Sequence, residues 1–169
     1  SNSVGSAANN TGIVVTLAAV SQGTHTIVVE ARDEATNRLN SSSLILNVDT
    51  SNLTSTINSP SNNSWTTDTT PDVNFTLVDN LDTVLNYTVF VDGIVNSVGS
   101  AANNTGIVVT LATVSQGMHT IVVEARDEVD NRLNSTALVL NVDATNPSSS
   151  VINSPANNSW TADTTPDVN

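Results

Sequence analysis

Two short acidic stretches, Asp79-Asn80-Leu81-Asp82 and Asp127-Glu128-Val129-Asp130, gather the groups in this sequence best able to hold an ion. Carboxylate and amide oxygens clustered in turns are ligands for a hard cation such as calcium, which takes about six to eight of them in flexible geometry. If the strands between these stretches run alternately, both fall at one pole of a domain, where the connection containing Asp49 also arrives. The expectation is a calcium site at Asp79, Asp82, Asp127 and Asp130 that stiffens a junction. The competing expectation is that Asp and Asn stand there because turns favour them. Thr36, which takes the place of Asp130 in an earlier copy of the same stretch, weighs on that second side.

Catalytic chemistry finds little to work with. His25 and His119 are the two histidines, and they hold equivalent places in successive copies, each beside a glycine at a strand entrance, Gly23 or Gly117. Neither has a second histidine nearby to help a nucleophile or complete a metal site. No glycine-rich phosphate loop and no serine elbow occurs. With no cysteine, thiolate chemistry and disulfides are excluded as well. No enzyme is expected.

Modification is a further possibility. The triplet Asn-x-Ser/Thr occurs at nine positions, against about six expected by chance in so Asn-, Ser- and Thr-rich a chain. Asn40 and Asn134, in equivalent places near a final strand, and Asn9 and Asn103, in equivalent loops, are the best candidates for N-linked glycans. Trp65 and Trp160 recur in the polar connection Asn-Asn-Ser-Trp. Such a tryptophan caps its own core, packs on a neighbouring domain, or stacks on carbohydrate.

Sixteen acidic residues against four arginines give a formal charge of −12. Nucleic acid and anionic membranes, which need clustered positive charge, are thereby disfavoured as partners. No apolar run approaches the ~20 residues of a membrane span, so no direct membrane insertion is expected in this segment. Val, Ile, Leu and Ala supply the apolar residues while Ser, Thr and Asn fill the rest, a mixture suited to strands with polar outer faces.

Internal repetition organises these elements. The stretch from Asn2 to Asn40 returns from Asn96 to Asn134, and Ile57 to Asn74 returns from Ile152 to Asn169, nearly unchanged. A period of roughly 95 residues exceeds solenoid units and matches one small sandwich domain. The expected division is residues 1–53 as the end of one repeat, 54–146 as a complete repeat, and 147–169 as the start of the next. Within the complete repeat, apolar alternation and turn residues place seven strands: Thr56–Asn58, Asp72–Val78, Val84–Val91, Ile94–Val98, Gly106–Leu111, His119–Arg126 and Thr136–Val142. Asp92-Gly93 joins the third and fourth as a tight hairpin. The fold class expected is all-β, tandem antiparallel sandwiches. The chain reads as a window on an array. Tail-to-head strand exchange between copies is the other arrangement to weigh, though the joined ends would lack roughly Phe75 to Val95.

The strings INSPSNNSWTTDTTPDVNFTLVDNLDTVLNYTVFVDG and VSQGMHTIVVEARDEVDNRLNSTALVLNVD resemble the immunoglobulin-like repeats strung along large surface proteins of archaea and bacteria. An Asn-Ser-Pro opening, an Asp-Asn turn, a Val-Asp-Gly hairpin, a Gly-x-His strand entrance and an Ala-x-Asp-x-x-x-Asn turn carry the likeness across the chain. It departs at the linker after Asp49, and at Thr36 and Asp130, where many relatives have glycine. The resemblance implies an extracellular, cell-surface role as a filament, stalk or surface-layer component that self-associates. An adhesin module that grips a glycan or another cell's protein is the alternative, and its loops offer few aromatic anchors.

Overall fold

In the computed structural model, which describes residues 3–50 and 52–169, every regular element is a strand. Ser1, Asn2 and the linker residue Ser51 lie outside the described residues. The head segment carries β1 (Gly23–Ile27), β2 (Glu30–Arg32), β3 (Arg38–Asn40) and β4 (Leu44–Val48). There follow β5 (Thr54–Ser59), β6 (Ser64–Thr66), β7 (Asp72–Val78), β8 (Val84–Val91), β9 (Ile94–Ala102), β10 (Gly106–Thr110), β11 (Gly117–Arg126), β12 (Arg132–Asn134) and β13 (Leu138–Val142). Among the described residues, no helix is long and apolar enough to cross a membrane.

Strands β5 to β13 form a two-layer sandwich. One sheet has the order β10-β7-β5 and the other β6-β13-β11-β8-β9, with β12 continuing the edge of β11 beyond β13. Alternation fixes which side chains enter the space between them. Val73, Phe75 and Leu77 of β7 meet Leu85 and Val89 of β8, Ile121, Val123 and Ala125 of β11, and Leu138, Leu140 and Val142 of β13. Each of the larger side chains stabilises the fold by about 1.5–3 kcal/mol through burial. Leu53, Leu111 and Val114 close the ends of this core, and the rings of Phe75 and Tyr87 meet edge to face at 5.1 Å. Every buried residue among those described lies between Leu53 and Val142.

β5, β10, β11 and β13 differ from the expected bounds by one or two residues at an end, and three departures are larger. β6 is added, a short polar strand that pairs in parallel with β13, Leu140 opposite Ser64 and Val142 opposite Thr66. It has no apolar alternation to announce it, because its stability comes from the backbone edge of β13. β12 is likewise added, three residues folded back on β11 after the Asp127 turn. β9 runs on to Ala102, past Val98, because Gly99 opposite Tyr87 and Ala101 opposite Leu85 continue the ladder.

The head segment repeats the register of the sandwich at a 94-residue offset. Gly23 pairs Val48 as Gly117 pairs Val142, and Arg32 pairs Arg38 as Arg126 pairs Arg132. Residues 12–16, which correspond to β10, form no strand. β10 is held by β7, and the head has no counterpart of β7, so Ile13, Val14 and Val15 stay exposed. In the tail, the Asn169 N–H donates to the Ser154 carbonyl at 3.0 Å, which repeats the Ser59–Asn74 pairing of β5 with β7.

Candidate functional site

The acidic turns meet where the head runs into the sandwich. After β7 the chain turns sharply, and Asp79, buried, stabilises the turn by accepting through Oδ1 the N–H groups of Leu81 (2.7 Å) and Asp82 (3.0 Å). Asn103, from the β9–β10 connection, braces the same turn from outside. Its Oδ1 accepts the Asp79 N–H at 3.0 Å, and its Nδ2 donates to the carbonyls of Asp79 and Asp82, both at 2.6 Å. A carboxamide is the one neutral side chain that accepts and donates twice in this way. Carboxylate oxygens of Asp79, Asp82 and Asp49 lie within 4.8 Å of one another. Oxygen donors so placed have the chemistry of a calcium-type ligand set.

Asp127 and Asp130 stand outside that group. The Asp127 carboxylate, 2% exposed, is consumed by its own turn: Oδ1 accepts from the N–H groups of Val129 (3.0 Å) and Asn131 (2.8 Å), and Oδ2 from Asn131 Nδ2 (2.6 Å). Asp130 takes a left-handed backbone, φ 73°, and its Oδ1 faces Arg126 at 3.3 Å and Arg132 at 3.2 Å. Thr36 has the same conformation in the head, φ 70°, which is why glycine suits this position in the similar repeats. The two turns still touch, since the Glu128 N–H donates to Asp82 Oδ2 at 3.2 Å and Asn131 Nδ2 reaches the Asp49 carbonyl at 3.4 Å. In the head, Asn37 braces Asp33 as Asn131 braces Asp127, and its side-chain and backbone donors hold the Asp33 carboxyl below the usual range.

His119 lies at the opposite end of β11 and has the neighbours of a catalytic histidine without its chemistry. Nδ1 is 2.7 Å from Asp92 Oδ2, and the Ser115 hydroxyl is 3.4 Å from Nε2. The Ser115 carbonyl is nearer to Nε2, at 2.9 Å. A carbonyl only accepts, so this ring nitrogen donates and cannot draw a proton from the hydroxyl. The arrangement is a clasp that ties the Asp92-Gly93 hairpin and the loop before β11 to the strand entrance. The sequence signals for this pairing are the Val91-Asp92-Gly93 hairpin string and the Gly-x-His string, which occurs at Gly23 and again at Gly117.

Of the glycan candidates, Asn9, Asn40 and Asn134 are exposed. The Asn103 carboxamide is the one that braces the Asp79 turn. Trp65 lies on the outer edge of the sandwich, opposite Asn141 and 73% exposed, with Ser64 and Thr66 turned toward the protein, so it does not cap the core. Trp160 is fully exposed in the tail.

A family model described as bacterial Ig-like domain (group 3) matches residues 9–106 and again 103–166, its starting points one 94-residue repeat apart. The chain belongs to this family. The bacterial Ig-like fold accounts for the all-β sandwich. Among solved structures, the chain is similar to the fibronectin(III)-like modules of Clostridium thermocellum CbhA, with 21% identity and a TM-score of 0.47, over 76% of this chain and 65% of that one. No curated protein matches.

Proposed function

We propose that this bacterial Ig-like chain is a segment of an extracellular structural array, a cell-surface filament, stalk or surface-layer component that self-associates and carries N-linked glycans. The observation that carries the reading is the repetition of register as well as sequence: Gly23 with Val48 and Gly117 with Val142 are the same pairing one repeat apart. Identical units in series supply length and repeated contacts, whereas a single active site or receptor site needs one copy. The units in this reading are residues 1–53, 54–146 and 147–169, the first and last being partial.

Calcium held by Asp49, Asp79 and Asp82 stiffens the joint between units in the same reading, because the three carboxylates come from both sides of the linker. Electron microscopy of the purified protein and of the cell surface tests the proposal. Fibres or lattices with an axial spacing that is a small multiple of one unit are expected. Dispersed monomers that bind a glycan array would overturn it in favour of an adhesin.

A further inference from the structure

Gln22 and Gln116 hold the same place in successive repeats, in the loop before β1 and before β11, yet their carboxamides are used differently. Gln116 closes on its own linker. Its Oε1 accepts the Ala144 N–H at 2.9 Å, and its Nε2 donates to Asp143 Oδ1 at 2.6 Å and faces Thr145 Oγ1 at 3.2 Å. The donors from Thr145, followed by that of Gln116, hold the Asp143 carboxyl below its ordinary range. Among the described residues, Gln22 accepts from Thr50 Oγ1 of its linker at 2.9 Å and sends its Nε2 across the joint to Asn80 Oδ1 at 3.0 Å. Asn80 is the second residue of the turn that Asn103 braces, so the acceptor sits on a fixed support.

We infer that this glutamine is a joint latch: its carboxamide fixes the angle between consecutive units by bonding the Asp-Asn turn of the following unit, and is stowed on the linker when it does not. The partner is thus the next repeat of the same chain, recognised through one amide acceptor. Both bonds are solvent-exposed, so each contributes modestly and the latch opens reversibly. This deepens the array reading and rests on it for its biological meaning. The latch itself is a property of one chain.

The absence of cysteine allows paired spin labels at Ser42→Cys in the head and Val98→Cys in the sandwich. Pulsed electron resonance on the full chain is expected to give one narrow distance. Gln22→Glu replaces the donor with an isosteric acceptor facing Asn80 Oδ1. It should lower the ratio of narrow to broad population about fivefold, the shift in equilibrium constant expected for one such hydrogen bond. Asn80→Ala should do the same, and the double variant no more. Gln116→Glu, the same change at the other site, should leave the distance untouched. A wild-type distribution in Gln22→Glu, or equal broadening in Gln116→Glu, overturns the latch. Neither result depends on whether fibres form, so failure of the latch and failure of the array are told apart.

Discussion

Asp92 and His119, separated by 27 residues in sequence, are joined through Oδ2 and Nδ1 at 2.7 Å. The other carboxylate oxygen of Asp92 accepts the Thr120 N–H at 2.8 Å, and the Asp92 N–H donates to the Thr120 carbonyl at 2.8 Å. The hairpin tip is thereby fixed to the start of β11. Asp92 also has a left-handed backbone, φ 53°, which Asp and Asn tolerate better than most residues. Asp92→Ala is therefore expected to cost about 2 kcal/mol, from lost hydrogen bonds and backbone strain together. Asp92→Asn should cost less than half as much. Urea unfolding followed by tryptophan-independent far-UV signals checks both.

The pH dependence of stability follows from the same residue. The Thr120 N–H first, and His119 second, hold the Asp92 carboxyl below its ordinary range. A carboxyl depressed in the folded state contributes stability above its unfolded value, about 4, and loses that contribution as pH falls through the folded value. Asp143 and Asp33 are shifted in the same direction. Melting temperature should consequently fall on acidification below about pH 4, and Asp92→Asn should melt with a shallower slope there. Equal slopes would assign the acid sensitivity elsewhere.

The sandwich was legible in the sequence wherever one strand face is apolar. Val73, Phe75 and Leu77, or Ile121, Val123 and Ala125, declare both their strand and its buried side. β6 and β12 were not legible, because their pairing uses backbone edges and leaves no alternation. The acidic turns could be placed at one pole by counting strands, and Asp79, Asp82 and Asp49 do converge there. What counting could not show is which carboxylates are spent inside their own turns. Asp127 and Asp79 both follow a strand and precede a tight turn, and both accept backbone N–H groups there. The geometry shows that Asp127 is spent in this way, its second oxygen being taken by Asn131.

Close packing at Gly99 gives a local test. A Cβ placed there would lie 2.5 Å from the Tyr87 hydroxyl oxygen and 2.6 Å from the ring carbon bearing it. The same ring also meets Phe75 edge to face at 5.1 Å, so moving it disturbs that contact. Gly99→Ala is expected to destabilise by about 1–3 kcal/mol, the usual cost of overpacking. Tyr87→Leu in the same chain should recover part of that loss, which a double-mutant cycle measures.

Asn103 separates a structural carboxamide from a modified one. Both of its N–H groups are used on carbonyls at 2.6 Å, and a glycan on that nitrogen would break the brace. Mass spectrometry of the chain from a glycosylating host should find glycans at Asn40 and Asn134 and an unmodified Asn103. Asn103→Asp removes the donors and brings another carboxylate to Asp79 and Asp82. A loss of about 2–3 kcal/mol is expected, larger than for an ordinary surface asparagine.

The three carboxylates at the joint make the sharpest use of an added ion. Like charges held within 4.8 Å repel, and a divalent cation converts that repulsion into attraction at the place where the linker meets two turns. Millimolar calcium is expected to raise the melting temperature, by about 1–3 kcal/mol of added stability if it reaches tens to a hundred times its dissociation constant, and a chelator should reverse the gain. Asp49→Asn and Asp82→Asn should each abolish the increment, with Asp49→Asn melting above the wild type in chelator because one repelling charge is gone. Asp130→Asn, whose parent carboxylate faces Arg126 and Arg132 instead, should keep the full response. A melting curve indifferent to calcium in the unmodified chain would show that the Asp49 linker is held by its hydrogen bonds alone.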